Sequence, residues 1–65
     1  MNVIKTYGIY CYSDETPSGM KLDGFAVYVW NANKQDWDYI ITFDSEERAV
    51  SYCIMKQRTY EKWMR

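Results

Sequence analysis

Sixty-five residues, a net charge of −1, no histidine and two cysteines exclude much before any pattern is read. A chain of this length buries only ~60% of its unfolded surface, so one thin-cored domain spanning residues 1–65 is expected. Near-neutral charge excludes a generally basic nucleic-acid binder, and 48% hydrophobic residues with one proline and three glycines exclude a disordered chain.

Seven Tyr, three Trp and two Phe are more rings than so small a core can enclose, since each covers ~150–250 Å². Some rings should therefore lie at a surface or an interface. Cys11 and Cys53 are too few for the disulfide framework of a small secreted domain, and they read as reduced core thiols. No basic segment leads into a long apolar run, so neither a signal peptide nor a membrane span is expected, and the cytoplasm is the default location.

Residues 3–12 (VIKTYGIYCY) read as a first strand, rich in β-branched and aromatic residues. Residues 13–24 gather Ser, Asp, Pro and Gly into a loop of about a dozen residues, long for a hairpin. Residues 25–30 (FAVYVW) and 37–43 (WDYIITF) form two further strands, joined as an antiparallel hairpin by the polar turn 31–36.

Asp44-Ser45-Glu46-Glu47 has capping-box spacing, with Asp44 as the cap and Glu47 reaching back. Beyond it Ala49, Cys53, Tyr60 and Met64 fall in one stripe, while Arg48, Ser51, Arg58, Lys62 and Arg65 lie opposite. The fold expected is α+β, a three-stranded antiparallel sheet (β-β-β) followed by one C-terminal amphipathic helix packed on one sheet face. A helix of about nineteen residues spans ~28 Å against ~20 Å for a six-residue strand. Its end, with Tyr60, Trp63 and Met64, should overhang.

One helix covers one face of such a sheet. Strand alternation places Phe25, Val27, Val29, Ile41 and Phe43 toward the helix, and Tyr10, Tyr12, Tyr28, Trp30 and Ile40 on the open face. Contiguous exposed aromatics mark binding surfaces.

Catalytic equipment is missing from the pattern. The absence of histidine removes the commonest general base and metal ligand, and two distant cysteines cannot make a zinc site. Asp36 and Asp38 fall on one strand face, where a solvated hairpin end explains them better than a cation site. Gly8, Gly19 and Gly24 match no phosphate-binding loop. Neither enzyme activity, nor a metal, nor a cofactor is expected.

Binding is what remains. The first expectation is a protein–protein interaction domain using Tyr10, Tyr12, Tyr28 and Trp30 as one patch and Tyr60, Trp63 and Met64 as another. Its partners would be a second copy in a homodimer, an unidentified protein, or both. Tiny, acidic, aromatic-rich single domains are also common in phages and mobile elements, so an inhibitor or accessory protein of that origin is a further expectation. The alternative is a nucleic-acid-binding module. Three strands followed by one helix is similar in order to integrase arm-binding and AP2-type domains, whose sheets dock into a DNA groove. Here the sheet carries only Lys5 as a basic residue, so Arg48, Arg58, Lys62 and Arg65 on the helix are the candidate phosphate contacts.

Overall fold

The computed structural model of the chain describes residues 3–64. Four strands precede the helix: β1 (Lys5–Tyr7), β2 (Tyr10–Glu15), β3 (Lys21–Asn31), β4 (Asp36–Phe43) and α1 (Glu46–Trp63). The sheet is an antiparallel meander in the order β1-β2-β3-β4. The α+β class and the C-terminal helix agree with expectation, whereas the strand number is four instead of three.

A reversal inside the expected first strand accounts for the extra one. Gly8 adopts φ +66°, a left-handed conformation that folds residues 3–12 into a hairpin pairing Tyr7 with Tyr10. A two-residue turn with glycine at its first central position suits the twist of the strands it joins. The expected 13–24 loop is likewise mostly strand, since β2 runs to Glu15 and β3 begins at Lys21. Only residues 16–20 turn, held by Thr16 N–H donating to the Met20 carbonyl (2.8 Å) and Gly19 N–H to the Thr16 carbonyl (2.9 Å). The Lys21 ammonium adds an ion pair with Asp14 at 2.7 Å.

The helix begins one residue later than the capping-box reading placed it. Ser45 is the cap, its hydroxyl accepting from Arg48 N–H at 3.2 Å. Asp44 instead forms a long ion pair with Arg48, and Glu46 accepts a hydrogen bond from the Tyr12 hydroxyl at 3.1 Å. A second tether lies further along, where Gln57 Oε1 accepts from Ile9 N–H at 2.9 Å beside Gly8.

The core between the layers is built from Tyr12 and Val27 on the sheet and Ala49 and Cys53 on the helix, with Tyr10, Phe25, Ile40, Phe43, Val50 and Tyr52 around it. This corrects the placement of Tyr10 and Tyr12 on the open face. The register pairs Tyr10 with Val29 and Tyr12 with Val27, and directly paired residues share a face. Ile40, also expected on the open face, packs against this core. Cys11 and Cys53 are free and buried, in clusters on opposite sides of the sheet. Burial raises both thiols, Cys11 to about 12 and Cys53 to about 11, so neither is a reactive thiolate near neutral pH. Among the described residues no helix is long and apolar enough to cross a membrane.

Candidate functional site

The side of the sheet turned away from the helix carries the feature that packing alone explains least. Beneath it Cys11, Ala26 and Tyr28 are buried, with Leu22 and Trp37 packed against them. Tyr28 is only 2% exposed. Its hydroxyl donates to the Glu15 carbonyl at 3.3 Å, and burial, ahead of the neighbouring Cys11 and Tyr39, raises its pKa.

Over this floor stand Trp30, Trp37 and Tyr39. Trp30 and Trp37 are cross-strand partners whose rings meet edge to face at 5.3 Å. Tyr39 meets Tyr28 in the same manner at 6.0 Å, and its hydroxyl shares a 2.9 Å hydrogen bond with Thr42. Such pairs are worth ~0.5–1.5 kcal/mol beyond their area, so the rings are held rather than loose. Tyr39 nevertheless stays 61% exposed and Trp30 39%.

A break in register brings Trp37 and Tyr39 here. Val27 pairs with Ile41 but Tyr28 pairs with Tyr39, which leaves Ile40 as an extra residue in β4. A β-bulge of this kind shifts the alternation of everything on one side of it by one residue. Strict alternation back from Ile41 and Phe43 would instead turn Trp37 and Tyr39 toward the helix. The adjacent Ile40-Ile41 pair was the only sequence signal, and it fits either phase.

Between the rings and the 16–20 turn lies a groove of about 400 Å³, lined by Thr16, Pro17, Leu22, Ala26, Tyr28, Trp37, Tyr39 and Thr42. None of these side chains, nor Trp30 beside them, carries a charge. The groove offers apolar contact and ring faces, with hydroxyls that already hold partners at Tyr28 and Tyr39.

The remaining expected residues fall elsewhere. Tyr60, Trp63 and Met64 are exposed at the helix end, Trp63 by 83%, although β3, at 11 residues, is longer than the six-residue strand from which the overhang was expected. Arg48, Arg58 and Lys62 are exposed on the helix, in the other layer from the ring-lined groove, and Arg65 lies outside the described residues. Tyr10 and Tyr12 belong to the core. The Tyr12 pKa is pushed up to about 12, first by burial and then by its hydrogen bond to Glu46.

The acids at the hairpin end have structural partners. Asp38 accepts from Lys34 at 2.6 Å and from Asn31 at 2.9 Å, which lowers its pKa, and Asp36 accepts from Trp37 N–H at 2.7 Å. No cluster of three or more metal-ligating side chains occurs among the described residues. No family model matches this chain, and neither does any curated protein or solved structure.

Proposed function

We propose that this chain is a small, non-catalytic protein–protein interaction domain that binds through the open side of its sheet. The observation carrying this reading is the exposed pair Trp30 and Tyr39, with half-buried Trp37 between them and the buried cluster, beside an uncharged groove on a face that no described element covers. Trp and Tyr are the residues that anchor interfaces, because each removes a large rigid surface from water at small entropic cost. A domain of this kind acts by occupying its partner, the mode of a small inhibitor or accessory subunit.

Nucleic acid is the weaker reading. Stacking on exposed rings needs Lys or Arg close by to hold phosphates. Here the exposed cations Arg48, Arg58 and Lys62 belong to the other layer, and the lysines on the sheet side, Lys21 and Lys34, are already paired with Asp14 and Asp38.

The test is quantitative capture from cells of the source organism, comparing the wild-type domain with Tyr39→Glu and Trp63→Glu. Tyr39→Glu should lose the bound protein and Trp63→Glu should keep it. Capture indifferent to Tyr39→Glu would refute the reading.

A further inference from the structure

Resting on that reading, we infer that the occupant of the open face is a second copy of this chain, packed sheet against sheet about a two-fold axis. Area is the first support. The molecule is a slab of 37 × 27 × 15 Å, so its broad face spans on the order of 1,000 Å², enough to supply the ~800 Å² that one partner gives to a standard-size interface. A lone domain leaves all of it in water.

Shape and charge are the second support. The face holds a ridge and a groove side by side, Trp30 and Tyr39 standing up and Leu22, Pro17 and Ala26 lining the hollow. An isologous pair sets each ridge opposite the partner's groove, which makes one surface complementary to itself. No charged side chain lines the hollow, so two identical copies meet there without burying like charges. Two sheets stacked ~10 Å apart would form a sandwich whose outer layers are the two helices.

Light scattering at high protein concentration should give twice the 7.9 kDa chain mass. Tyr39→Glu should raise the dimer Kd by at least about thirtyfold, the loss expected of an interface anchor. Its fold should survive, since the ring is mostly exposed; far-UV circular dichroism checks this, and Thr42→Arg at the groove rim is a second variant. Trp63→Glu should leave the Kd unchanged.

A dimer split by Trp63→Glu but not by Tyr39→Glu or Thr42→Arg would overturn the inference in favour of the helix end. A monomer whose captured protein is still lost on Tyr39→Glu would overturn the second copy while leaving the interaction reading intact. A monomer whose captured protein is indifferent to Tyr39→Glu would overturn both. A monomer that binds a polyproline peptide in the groove would also overturn the second copy.

Discussion

Toward the helix, the sheet buries Tyr12 and Val27 against Ala49 and Cys53, with a second layer of backbone sealing them. On its other side Cys11, Ala26 and Tyr28 reach the same burial with no helix above, packed by Leu22, Trp37 and neighbouring rings. A small domain can therefore close two clusters with a single helix, provided rings lie across the second. The covering rings then become the wet surface themselves. Apolar matter on the helix side should act mainly on stability, and on the open side mainly on binding.

Paired substitutions would break this contrast most directly. Tyr12→Ala removes a buried ring and should cost about 3–5 kcal/mol, enough to unfold much of the population of so small a domain. Tyr39→Ala should cost below about 1 kcal/mol when measured at concentrations where the chain is monomeric, because that ring is mostly in water already. Similar losses in urea denaturation would show that the two sides do not differ in this way.

Alkali acts on both sides at once. Cys53 and Cys11 rise from 9.0 to about 11 and about 12, and Tyr12 from 10.0 to about 12. Folding favours the protonated form of each, so their contribution is complete below about pH 9 and is lost as pH climbs through about 12. The urea midpoint should be level up to about pH 8.5 and fall steeply above it. Cys11→Ala should flatten the part of that fall owed to the open side.

Smaller effects sharpen the picture at the edges. Gly8→Ala forces a side chain into a left-handed position and into Gln57, displacing the acceptor of Ile9 N–H. About 2 kcal/mol should be lost, seen as a lower Tm. At the far hairpin Gln35 sits at φ +52°. Gln35→Gly should relieve that strain and add about 0.5 kcal/mol.

Much of this was readable in the residues. The helix, its amphipathic stripe through Ala49 and Cys53 and the Asn31–Asp36 hairpin follow from periodicity and turn chemistry. The missed hairpin came from Gly8 inside a β-rich run, where a glycine can be an ordinary strand residue or a reversal and only its φ distinguishes them. Lys21 to Gly24 looked like loop because polar residues there face water along an extended strand. Tyr10 and Tyr12 were misplaced because a single strand's alternation does not say which phase faces the helix; pairing with Val29 and Val27 decides it. Trp37 and Tyr39 were hidden by the bulge, which depends on cross-strand register and leaves no residue type as its mark. The groove inherits all of these, which is why its ring set was seen only in part.

The meander also bears on how quickly the chain finds this arrangement. Its turns hold two, five and four residues, 8–9, 16–20 and 32–35, and every strand pairs with its neighbour in the chain. Closing such short loops costs little entropy, so the sheet can zip from any hairpin. The long-range steps are those that dock the helix, with Tyr12 meeting Glu46 across 34 positions and Ile9 meeting Gln57 across 48. Folding should thus be fast for a β-rich domain, on the order of milliseconds, with helix docking setting the pace.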